Sequence, residues 1–185
     1  LYEMFDRSKN TRKIINPFVI GMLLIRSGNV ERNPGPSNGD VMLISQNCRG
    51  LKCKDKLKQL LCRLNKIGSS SKIIALQETH LESSYLKYSW SGNSAITSSL
   101  GAKGGIITLV SGNINILDQI DIENDAQILF TEIIDNKEST PLVIVNLHSP
   151  CAHDQTKIEF FKKIKDQIDT FRLDHGPSEI VIMGD

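Results

Sequence analysis

Residues able to bind a cation or move a proton stand at the ends of apolar runs in this sequence. Asn47 closes "VMLISQN", Glu78 follows "KIIALQ", Asn146 and His148 close "PLVIVNLH", and Asp185 follows "EIVIMG". An apolar strand that runs into a lone carboxylate is costly unless the carboxylate has a partner. A hard divalent cation is a natural partner for Glu78 and Asp185, with the Asn47 amide in support. Strand ends are also where α/β proteins place their sites. Each residue has a plainer reading when taken singly. Asn47 starts a turn before Gly50, Glu78 pairs with a surface lysine, His148 is an ordinary half-buried histidine, and Asp185 is a loop or cap residue. Their succession on strand after strand favours one shared site.

The elements that must position these residues follow from apolar periodicity. "VMLISQN" (41–47), "KIIALQE" (72–78), "GGIITLV" (104–110), "INILDQI" (114–120), "QILFTEIID" (127–135), "PLVIVNLHS" (141–149) and "EIVIMGD" (179–185) read as strands, the last of them buried. Leu57, Leu60, Leu61 and Leu64 fall at helical spacing, so 55–68 is expected to form an amphipathic helix stopped by Gly68. A second helix is expected over 154–173, with Ile158, Phe161, Ile164, Ile168 and Phe171 as its apolar stripe. Helix and strand alternate, then strands run on, then a helix and a strand follow. That order predicts a layered α/β sandwich with mixed sheets.

The 185 residues suit a single core, and the net charge of +1 gives no global basic field for a polyanion. Residues 1–39 read as a leader and 40–185 as the folded body. Arg7, Lys9, Arg12, Lys13, Arg26 and Arg32 make the leader basic. Its apolar run, "INPFVIGMLLI", is too short to span a bilayer and is interrupted by Pro17 and Gly21, so no stable membrane association is expected. Cys48, Cys53, Cys62 and Cys151 form no C-x-x-C pair and have no histidine at zinc-ligand spacing. They read as reduced, partly buried thiols. Arg49, Lys52, Lys54, Lys56 and Lys58 offer either phosphate contacts or a solvated helix face.

"SQNCRGL", "ALQETHL", "KGGIITLV", "VNLHSP" and "IVIMGD" together resemble the successive motifs of the endonuclease/exonuclease/phosphatase family. Within it they are most similar to the apurinic-type endonucleases of non-LTR (LINE-type) retrotransposons. The resemblance covers 41–185 and implies a four-layer α/β sandwich of the deoxyribonuclease type, incomplete at its C-terminus. It implies a site dependent on Mg2+ or Mn2+ that hydrolyses DNA phosphodiesters. Glu78 would be a metal ligand, Asn47 would orient the metal-bound site, and Asp185 would orient or activate water as the Asp of a G-D-x-N motif. His148 stands where tyrosine is common, and either donates a proton or binds phosphate. The family's later Asp–His pair has no counterpart here, and "DH" at 174–175 reads as coincidence in a loop. The chain is therefore expected to be an inactive fragment of a nuclear, intracellular nuclease.

"GNVERNPGP" (28–36) fits no helix or strand period. It resembles the 2A-like peptides that act in the ribosome exit tunnel and prevent one peptide bond from forming. Val30, Glu31, Asn33, Pro34, Gly35 and Pro36 match, and Asn29 replaces the usual aspartate. The affected junction would be Gly35–Pro36. Proline restricts its own φ and the residue before it, which bears on the geometry of that junction. Read alone, "NPGP" is a surface turn. DNA and the translating ribosome are thus the expected partners. The alternative is a decayed, non-catalytic element whose leader only skips or targets, including to the secretory route.

Overall fold

The computed structural model of the chain describes residues 21–25, 41–67, 71–81, 90–97, 104–122, 125–134, 141–151 and 154–184. The expected skipping motif at 28–36, the helix stop at Gly68 and the expected site residue Asp185 lie outside them.

Among the described residues two mixed sheets stack between two helices. The first sheet holds β1 (Gly21–Ile25), β2 (Val41–Asn47), β3 (Ser71–Gln77), β4 (Asn93–Thr97) and β5 (Ile106–Ser111), in the order β1-β2-β3-β5-β4. Only its β2–β3 pairing is parallel, and the crossover between them is helix α1 (Lys54–Lys66). The second sheet holds β6 (Ile114–Ile122), β7 (Ala126–Ile133), β8 (Leu142–Leu147) and β9 (Glu179–Gly184), in chain order. Its parallel pair, β8–β9, is joined through helix α2 (Asp154–His175). Each parallel pair thus has the helical crossover that parallel strands require.

Three apolar layers hold the stack. Leu57, Leu60, Leu61 and Leu64 of α1 pack on Ile44, Ile74, Leu76, Ile107 and Leu109 of the first sheet. Val41, Leu43, Ile73, Ala75 and Val110 meet Leu129, Leu142, Ile144 and Met183 between the sheets. Phe130, Val143 and Val145 receive Phe160, Ile164, Ile168 and Phe171 of α2. The order is α1, first sheet, second sheet, α2, which is the expected four-layer sandwich. Both faces of β3 are covered, so it is buried throughout and reads as a continuous apolar run. Lys72 is the buried exception. Its Nζ donates to the carbonyls of Leu64 and Asn65 at 3.3 and 3.4 Å, satisfying acceptors that the end of α1 leaves open.

Several expectations need correction. The buried stripe of α2 runs through Phe160, Ile164, Ile168 and Phe171, whereas Ile158 and Phe161 are exposed. Phe171 stacks on Phe130 with ring centroids 3.7 Å apart, which fixes the rotation of the helix and turns Phe161 outward. Strand β9 is mostly exposed: among the described residues β8 is its one neighbour in the sheet, and Ile180 and Ile182 are exposed. Residues 21–25 of the leader form β1, hydrogen-bonded antiparallel to β2. Strand β4 lacked a sequence signal. Cys48 is buried, but Cys53, Cys62 and Cys151 are exposed. Asp174 and His175 belong to the last turn of α2 rather than to a loop, and the His175 ring stacks on Phe171.

Candidate functional site at the mouth between the sheets

Strands β2 and β3 run parallel with Asn47 opposite Gln77, so their C-terminal ends open side by side. The loops beyond continue the ladder. Cys48 N–H donates to Gln77 O, Gly50 N–H to Glu78 O and Leu51 N–H to Thr79 O. On the other side Thr79 and His80 N–H donate to Gly105 O and Gly104 O. This frame holds Glu78 at φ 50° and His80 at φ 55°, left-handed values that cost a non-glycine residue about 1–2 kcal/mol. Such strain concentrates where the surroundings over-determine a functional side chain. Gly50 is required for the frame. Its φ is 85°, and a Cβ there would lie 3.1 Å from Nδ1 of His80. His80 thus packs beside the loop at Gly50.

Three of the expected site residues meet. Asn47 Nδ2 donates to Glu78 Oε1 at 2.9 Å, and His148 Nε2 lies 3.0 Å from the same oxygen. Asn47 Oδ1 accepts the N–H of Arg49 at 3.0 Å, which locks the asparagine in a tight turn. His148 arrives from the second sheet, and its backbone N–H is held by Asp125 O at 2.8 Å. The Glu78–His148 contact thus closes the mouth from sheet to sheet. Glu78 remains 28% exposed, and its Oε2 has no hydrogen bond among the described residues.

Among the described residues no group of three or more His, Cys, Asp or Glu side chains could hold a metal ion by itself. One accessible carboxylate oxygen with a hydrogen-bonded partner oxygen does fit Mg2+, which keeps several waters and takes one or two carboxylates together with substrate phosphate.

Two nearby features were not read from sequence. Lys56 turns back on the β2–α1 loop and donates to Cys48 O at 2.8 Å and Gly50 O at 2.7 Å, so its role is to brace that loop. Gly184 lies opposite Leu147 in the β8–β9 ladder. A Cβ there would fall 1.9 Å from Leu147 O, so only glycine lets β9 come this close to the strand carrying His148. Beside the mouth, burial pushes the Cys48 thiol up to about 12, against a weaker opposing pull from Lys56. It is an inert core group rather than a nucleophile.

The comparisons agree with this architecture. No family model and no curated protein sequence match the chain. Solved structures do. An AP endonuclease (LMAP) from Leishmania major is similar over 77% of this chain and 54% of its own, with a TM-score of 0.57 at 15% identity. TDP2 from C. elegans is similar over 77% and 46%, with a TM-score of 0.54 at 18% identity. The endonuclease domain of TRAS1, a telomere-specific non-LTR retrotransposon, is similar over 77% and 57%, with a TM-score of 0.50 at 13% identity. At such identities the likeness defines the fold: this chain has the deoxyribonuclease I-like α/β sandwich. It spans about half the length of these structures.

Proposed function

We propose that this chain is the N-terminal part of a metal-dependent phosphodiesterase that nicks DNA, of the kind that primes non-LTR retrotransposition. The observation that carries the reading is the convergence of Asn47 and His148 on one oxygen of Glu78, at the strand-end mouth between the sheets. In this reading Glu78 Oε2 holds Mg2+ or Mn2+, and Asn47 keeps the carboxylate oriented. His148, against the same carboxylate, either binds the phosphate or donates a proton. The bound cation supplies charge neutralisation for the phosphoryl oxygens. Asp185, next after Gly184, is assigned to the attacking water. Arg49, Lys52, Lys54 and Lys58 are exposed in the β2–α1 loop and on the first turns of α1 and serve as contacts to DNA phosphates.

The base that takes the proton from water is assigned to an Asp–His pair beyond residue 185. Residues 1–185 are expected to bind metal and DNA. A product of the reading frame extended past Asp185 is expected to nick supercoiled plasmid in Mg2+ and to lose that activity with Glu78→Gln. An extended product with Glu78→Gln that still nicks as fast as the parent overturns the assignment.

The leader adds a co-translational step. Its match to the 2A-like pattern over Val30–Glu31 and Asn33–Pro36, next to a nuclease-like body, supports skipping at Gly35–Pro36. In vitro translation ahead of a reporter is expected to give two products that collapse to one with Pro36→Ala. One product from the parent sequence would leave the leader without this activity.

A further inference from the structure

We infer that Gln77 and Asn146 are positioning residues, a buried amide bridge that sets the distance between Glu78 and His148. The inference rests on the proposed site, since it concerns how that site is held.

The layer between the sheets changes character along the strands. Val41 and Leu43 of β2, Ile73 and Ala75 of β3, Val110 of β5 and Leu142 and Ile144 of β8 all face it and are buried. Two residues further toward the mouth, the same faces carry Ser45, Gln77, Thr108 and Asn146. Gln77 and Asn146 are both 0% exposed. Gln77 Nε2 donates to Asn146 Oδ1 at 2.7 Å and to Ser45 Oγ at 3.3 Å. Asn146 Nδ2 donates to Ile107 O and Thr108 Oγ1, each at 3.1 Å. Asn146 thus ties β8 of one sheet to β3 and β5 of the other.

Apolar contact between two sheets is non-directional and tolerates small slides. Directed hydrogen bonds do not. Gln77 directly precedes Glu78, and Asn146 lies two residues before His148. The 2.7 Å amide bond therefore stands immediately behind the 3.0 Å Glu78–His148 contact, and it joins the two strands that lead into those residues. A buried polar pair in an apolar layer costs desolvation that leucines would not, so stability alone does not account for it. Gln77 Oε1 has no hydrogen bond among the described residues, which sharpens that cost. What the pair adds is a fixed offset between the sheets at the level of the site.

The test uses Gln77→Met and the double variant Gln77→Met/Asn146→Leu on the 185-residue chain, with folding checked by circular dichroism. Replacing both partners by apolar groups restores much of the stability that a half-broken pair loses. Two readouts follow the site: the imidazole 15N resonances of His148, and Mn2+ affinity by electron paramagnetic resonance. The expected result is a displaced His148 signal in both variants and a roughly 10–100-fold loss of Mn2+ affinity, the range for outer-shell supports of a metal ligand. A folded variant of either kind with the parent His148 signal overturns the inference. If the parent chain binds no Mn2+, the proposed function fails, and the imidazole readout still decides the positioning role.

Discussion

The two ends of the layer between the sheets follow opposite rules. At the closed end, Val41, Leu43, Ile73, Leu142 and Ile144 are packed and have no polar work to do. At the open end, on the same strands, Asn47, Gln77, Glu78, Asn146 and His148 form directed contacts between 2.7 and 3.0 Å. The backbone follows the same division. Positive φ at the non-glycine residues Arg49, Glu78 and His80 clusters at the open end. The closed end contributes stability, and the open end spends part of it on geometry.

Breaking the closed end should produce the largest loss of stability. Ile144→Ala is expected to cost about 2–5 kcal/mol in chemical denaturation, with the His148 resonances of the folded protein unchanged. Gly184→Ala comes next, because its Cβ would collide with Leu147 O and force β9 to move. About 1–3 kcal/mol is expected, accompanied by a shifted His148 signal that Ile144→Ala does not give. Arg49→Gly should act in the other direction. Arg49 is exposed at φ 47°, so glycine there is expected to gain up to about 1 kcal/mol.

A pH series separates the ends by another route. The folded Cys48 thiol is raised from 9.0 to about 12, so the native state holds this proton more tightly than the unfolded state. Its contribution is complete below pH 9 and is lost as pH rises from there toward 12, which urea midpoints at alkaline pH can follow. Cys48→Ala should flatten that decline. Under native conditions maleimide is expected to label Cys53, Cys62 and Cys151 and to reach Cys48 only on unfolding.

Much of this was legible because period and polarity are local signals. The leucines of α1 follow from spacing, and Asn47, Glu78 and His148 stand out as polar residues at the ends of apolar runs. The rotation of α2 was not legible. Phe160 and Phe161 are adjacent and equally apolar, and the choice between them is made by Phe130 on another strand. The exposure of β9 depends on which strands flank it, a property of the sheet order. The Gln77–Asn146 bridge escaped for the same reason, since it joins positions 69 apart in sequence through the stacking of two sheets. A glutamine and an asparagine closing otherwise apolar strands were its only trace.

The central claim is that Glu78, held by Asn47 and His148, is a cation site. A titration of Mn2+ into the 185-residue chain, followed by electron paramagnetic resonance, tests it most directly. One bound ion that Mg2+ displaces is expected, with an affinity that falls by more than about 100-fold in Glu78→Gln, beyond the range for outer-shell supports. Equal Mn2+ binding by the parent chain and a folded Glu78→Gln variant would contradict the account.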